Sequence, residues 1–118
     1  MADRFRTFKA IPANTGANTL FTVPTANVAA SPPVPVTTFI LKTVVLHNKS
    51  GAGSINATLT YTSDSVDYEI NNVAVAHQAT KIINFSDVYE EGDVFKVTSS
   101  SANNLVAKVS VLEIKEQQ

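Results

Sequence analysis

Between Ile55 and Ser63, apolar and polar residues alternate one for one: Ile55, Ala57, Leu59 and Tyr61 are interleaved with Asn56, Thr58, Thr60 and Thr62. A period of two places one set on each face of a pleated strand, so this segment predicts a strand with one side in a core and one in water. Asn104 to Ile114 repeats the pattern, with Leu105, Ala107, Val109 and Val111 on one face and Lys108 and Ser110 on the other. Val106, Leu112 and Ile114 share the Lys108 face, which predicts partial cover there too. Phe39 to His47 is apolar on both phases, Phe39, Leu41 and Val45 against Ile40, Val44 and Leu46. It reads as a central strand in the interior or one covered by a neighbouring subunit.

Shorter strands are predicted at Phe5 to Ile11, Thr19 to Val23, Val66 to Ile70, Lys81 to Phe85 and Val94 to Ser99. Between them lie turn-forming clusters: Asn14-Thr15-Gly16, Asn48 to Gly53, Ser63-Asp64, Asn71-Asn72, Glu91-Gly92-Asp93 and Ser99 to Asn103. Val73 to Thr80 (VAVAHQAT) is open to helix, strand or loop. About eight short strands with frequent turns predict an all-β, antiparallel β-sandwich of jelly-roll or immunoglobulin-like type. No repeat of 20 to 50 residues is present. Composition agrees: 15 Val and 13 Thr stand against six Leu and five Glu, and branched Cβ atoms favour pleated sheet over helix.

All five prolines (Pro12, Pro24, Pro32, Pro33, Pro35) lie in the first third of the 118 residues, and none suits a central strand. Thr25 to Val36 therefore reads as an extended Pro-rich loop, either a partner-binding arm or a strap over an edge strand. The domain reading is an N-terminal arm or first strand at 1–12 and a single sandwich at 13–118. The formal charge of −1 argues against nucleic acid as a partner, which needs concentrated Lys and Arg. No apolar run approaches a membrane span or a signal peptide, so neither membrane nor secretion is expected.

Catalytic chemistry finds little support. His47 and His77 are isolated and Cys is absent, so no metal site is expected. No Gly-x-Ser-x-Gly elbow or nucleophile–base pair is legible, and no Gly-rich loop cradles phosphate. The expectation is a non-enzyme without cofactor or small-molecule substrate. The acidic stretch Asp87, Glu90, Glu91, Asp93 lacks the order of a calcium loop and reads as a turn with solvated carboxylates, its Gly92 at positive φ. Asp64 and Asp67 are read the same way. One local charge feature stands out: Arg4, Arg6 and Lys9 interleave with Phe5 and Phe8. This is either a solvated first strand or a docking strand whose basic groups meet an acidic partner.

The succession TLFTVP (Thr19 to Pro24), LKTVVLHNKSG (Leu41 to Gly51), YEEGDVFKVTSS (Tyr89 to Ser100) and NLVAKVSVLE (Asn104 to Glu113) resembles small β-sandwich virion structural proteins of tailed bacteriophages. The resemblance implies a capsid decoration or cement protein, found in the virion and assembled in the host cytoplasm. Its partner would be the major capsid protein or another virion protein, and it would cluster with its own kind, as a trimer. A neck, collar or tail accessory subunit is the alternative. A host-surface carbohydrate-binding module, using Asn71-Asn72 and Asn103-Asn104, is a third. In such relatives the link after TVP is short, whereas here Thr25 to Val36 is inserted. The shell-contact residues on this reading are Arg4, Phe5, Arg6, Phe8 and Lys9, with Pro32, Pro33 and Pro35 of the loop.

Overall fold

The computed structural model describes residues 2–27, 29–50 and 53–115, with only the backbone of Ala2. Eight strands form: β1 (Ala2–Ala10), β2 (Ala17–Thr22), β3 (Thr37–Asn48), β4 (Ile55–Ser63), β5 (Val66–Val75), β6 (Thr80–Tyr89), β7 (Val94–Ser99) and β8 (Leu105–Lys115). They build two four-stranded antiparallel sheets, ordered β1-β8-β3-β6 and β2-β7-β4-β5. Among hydrogen-bonded neighbours only β4 and β5 are consecutive, and this order is that of a jelly roll rather than an immunoglobulin domain. No helix among the described residues is long and apolar enough to cross a membrane.

The buried apolar residues occupy the inner phase of each strand and meet between the sheets. Phe21 of β2 is the hub, with ring centroids at 5.6 Å to Phe8, 5.3 Å to Phe39, 5.7 Å to Tyr89 and 5.3 Å to Phe95. These rings come from both sheets, so the cluster joins them at one end of the sandwich, where each ring contact adds to the area buried.

β3 departs from strict alternation. Its inner residues are Phe39, Leu41, Val44 and Leu46, because the register with β8 and with β6 shifts between Leu41 and Thr43. Against β8 the extra residue lies on β3, so the bulge swaps the inner and outer phases beyond it. Val45, expected beside Phe39 and Leu41, is therefore on the outer face, and Val44 and Leu46 are inside. Asn71 and Asn72, expected in a turn, sit within β5. A register shift against Leu59 and Thr60 falls at this point, and β5 is an edge strand, where an irregular polar stretch costs little. Val73 to Thr80 is strand as far as Val75, then a turn closed by Ala79 N donating to Ala76 O. The β4–β5 hairpin turns on Asp64 and Ser65, both left-handed at φ 52° and 65°, as a two-residue primed turn requires.

Among its described residues the Pro-rich loop does not run out as an extended arm. Asn27 and Val34 exchange two backbone hydrogen bonds of 2.9 Å, folding the segment back on itself. Of the two readings of the N-terminal segment, arm or first strand, Ala2–Ala10 take the second: β1 pairs with β8 along its whole length.

Asn48, fully buried at the end of β3, holds the loop that follows. Its Nδ2 donates to Gly53 O and Val75 O, both at 3.0 Å, and its Oδ1 accepts from Ser50 N at 2.8 Å. Asn48→Ala should cost about 2 kcal/mol, since the buried Val75 carbonyl loses its donor; urea denaturation of the two chains checks it.

Candidate interaction surfaces

Strand alternation divides the β1 residues between two faces. Arg4, Arg6 and Phe8 lie on the inner phase, whereas Phe5 (74% exposed) and Lys9 point outward. Phe8 packs against the core, and the Arg6 guanidinium carbon sits 4.8 Å from its ring centre. Pro32 and Pro33 are exposed and Pro35 half-buried, on the folded-back loop. The eight expected contact residues thus share no single surface.

Arg4 and Arg6 converge on a group that escaped sequence reading. Glu113, on β8 opposite Arg4, continues the inner phase of Leu105, Ala107, Val109 and Val111 and is 1% exposed. Arg4 Nε donates to its Oε1 at 2.9 Å and Arg6 Nη1 to its Oε2 at 3.0 Å, with Lys115 Nζ 3.8 Å away. Burial alone would push the Glu113 carboxyl up, but the arginine hydrogen bonds and nearby positive charge outweigh it and hold the group below the usual carboxylate range.

The outer face of the β1-β8-β3-β6 sheet carries an apolar row from edge to edge. The cross-strand register aligns Phe5, Leu112, Ile40 and Val88. Phe5 and Val88 (58% exposed) form its ends, with Leu112 and Ile40 half-buried between them. Two rows further along, Val45 stands beside Ile82, itself 64% exposed. Isolated exposed apolar side chains are ordinary, but a row spanning a whole sheet is the pattern of a docking face.

A second feature lies along the opposite edge from β1. A cleft of about 560 Å³ opens where edge strands β5 and β6 part, lined by Tyr61, Ile70, Val88 and Tyr89 together with five carboxylates: Asp64, Asp87, Glu90, Glu91 and Asp93. Half of the chain's ten acidic side chains therefore meet in one place. The acidic turn is not merely solvated. Asp93 is buried and its Oδ2 accepts from Glu90 N at 2.9 Å, while Glu91 Oε1 accepts from Ala26 N at 2.6 Å. Backbone bonds between Val23 and both Gly92 and Asp93 latch the turn to the end of β2. Gly92 takes φ 80°, as its turn demands. Among the described residues no three or more His, Asp or Glu side chains converge closely enough to hold a metal ion.

Tyr89 closes the inner wall of this cleft. It is 2% exposed, and its buried hydroxyl lies beside the Asp87 carboxylate with no partner in hydrogen-bond geometry. Burial pushes the phenol well above its ordinary value, and the nearby Asp87 carboxylate pushes it further, so the group stays protonated at any physiological pH. Removing an orphan hydroxyl relieves its desolvation cost. Tyr89→Phe should raise stability by about 1 kcal/mol, read as a higher melting temperature.

Neither a family model nor a curated protein matches the chain. Solved structures do. The Drosophila NLP core, whose structure concerns pentamer formation and histone binding, shares 14% identity at a TM-score of 0.63, over 98% of this chain and 100% of that one. A chain from the capsid of the Helicobacter pylori bacteriophage KHP30 shares 10% at 0.52, over 98% and 95%. One from the virus-like particle of the extra small virus of the prawn Macrobrachium rosenbergii shares 13% at 0.52, over 99% and 80%. At such identities the likeness is one of fold.

Proposed function

We propose that this protein is a non-enzymatic structural component of a virion, a decoration or cement protein that adheres to the assembled head of a tailed phage and stabilises it. The observation that carries the reading is the apolar row Phe5–Leu112–Ile40–Val88 across the outer sheet face, because it offers a rigid shape and apolar area rather than reactive groups. A β-sandwich with such a face works by adhesion. Binding the assembled shell in preference to free subunits then shifts the assembly equilibrium by mass action. The fold shared with shell components of a phage and of a prawn virus supports the reading, as does the tailed-phage resemblance of the sequence.

On this reading Phe5 and Lys9 make the shell contact. Arg4, Arg6 and Phe8 act indirectly, by fixing β1 to the sandwich, and Pro32, Pro33 and Pro35 form an accessory contact on the folded loop. The copies cluster as a trimer, which adds avidity. Imaging of labelled copies on purified particles tests the position. Copies spread over the whole shell are expected; a dozen or so at one vertex would replace the decoration role by that of a neck or tail subunit, and none on the particle would overturn both.

A further inference from the structure

The two edges of the β1-β8-β3-β6 sheet carry opposite charge at the same height. Following the register across the four strands, Arg4 stands in one row with Glu113, Phe39 and Tyr89, and Arg6 in another with Val111, Leu41 and Asp87. The arginines are at the β1 edge and the acidic cleft is at the β6 edge. On the β1 side three cations, Arg4, Arg6 and Lys115, share the single carboxylate of Glu113. Arg4 is 62% exposed and, among the described residues, donates only its Nε, to Glu113, of the five donors a guanidinium carries. On the outer face of the same two strands Lys9 stands opposite Lys108, both exposed. On the β6 side five carboxylates line a cleft with no Lys or Arg in its wall among the described residues.

We propose that the cleft between β5 and β6 is a socket for the β1 edge of a second copy of this chain, with Arg4 and Arg6 of one copy entering beside Tyr89 and Asp87 of the next. Three observations select this occupant. Among the described residues no three carboxylates sit close enough together to hold one metal ion, and about 560 Å³ is the scale of side chains. Tyr89 presents a buried hydroxyl with no partner in hydrogen-bond geometry, beside the Asp87 carboxylate, and a guanidinium could donate to both. The complementary cations lie on the same molecule, level with the socket and at the opposite edge, so one copy's edge meets the next copy's cleft without a shift along the strands.

Such a contact is head-to-tail, and it yields a closed ring when the rotation between copies closes. It would also set Phe5 of one copy near Val88 of the next, turning each apolar row into part of a continuous belt. The contact deepens the self-association in the reading above and stands without its capsid part.

Sedimentation velocity of the full chain tests it without particles. At about 0.05 M salt the chain should associate reversibly, and at about 1 M, where the screening length is about 3 Å, it should move towards monomer. Asp87→Asn with Glu90→Gln, both exposed positions, should keep the melting temperature and weaken association about tenfold or more. Tyr89→Phe should weaken association while raising the stability of the monomer. A mixture of the socket variant with Arg4→Gln should form a two-copy complex and stop there, because only one intact edge then meets one intact socket. A parent chain that is monomeric at low salt, or association unchanged by the socket variant, would overturn the proposal. Phe5→Ser with Val88→Ser should weaken association less than the socket variant does, and the reverse order would overturn the proposal by assigning the contact to the apolar row.

Discussion

Replacing Arg4 and Arg6 together by Ala should lower stability at pH 7 by about 2–3 kcal/mol and the melting temperature by roughly 10 °C. Glu113 is 1% exposed while the Arg4 and Arg6 side chains are 62% and 35% exposed. The change thus leaves a carboxylate buried with only Lys115 nearby. Breaking a fully buried pair costs more, about 3–5 kcal/mol, but here water already screens the arginine side. The pH dependence identifies the cause. A carboxyl whose folded pKa is depressed contributes stability that is complete above its ordinary value of 4.5 and lost as pH falls through the lower folded value. The gap between parent and variant should therefore be widest near neutrality and close in strong acid, where a protonated Glu113 no longer needs the arginines. A gap independent of pH in thermal melts would remove Glu113 as the reason these two residues matter.

Phe5→Ser with Val88→Ser should do the reverse, sparing the fold and removing the adhesion. Both side chains are more than half exposed at the ends of the outer row, so the folded monomer loses little packing when they are shortened. Apolar contacts away from the centre of an interface cost about 1 kcal/mol each on truncation. Particle occupancy at limiting concentration should fall by about tenfold or more, with the melting temperature within a few degrees of the parent. Deleting residues 1–11 would be a poorer test, because it strips an edge strand and exposes β8.

Most of the fold is legible in the sequence because one period governs it. Val, Thr and aromatic residues recur every second position, and the eight predicted strands match the eight observed. What was misread follows from events that break the period. Val45 changes face because a bulge near Lys42 resets β3, and nothing in LKTVV marks a bulge. Asn71-Asn72 has turn composition, yet the β5 edge tolerates it, since one side of an edge strand needs no partner.

The interaction surfaces were less visible for a different reason. The basic and aromatic character of Arg4 to Lys9 was evident, but whether a residue faces core or solvent depends on the partner strand. The signal for Glu113 was present: it continues the i, i+2 series of Leu105, Ala107, Val109 and Val111, and that series placed a carboxylate where a core residue was due. The acidic cleft joins Asp64 to Asp87 and the 90–93 turn only through the opposition of two sheets, which no local pattern encodes. The apolar row likewise takes one residue from each of four strands.

The most direct test is co-sedimentation of the purified chain with intact phage heads and, separately, with unassembled coat subunits. The chain should pellet with the heads in saturable amounts and remain free of the subunits. A chain that stays in the supernatant beside intact heads at every concentration tried would contradict the claim that it works by adhering to an assembled shell.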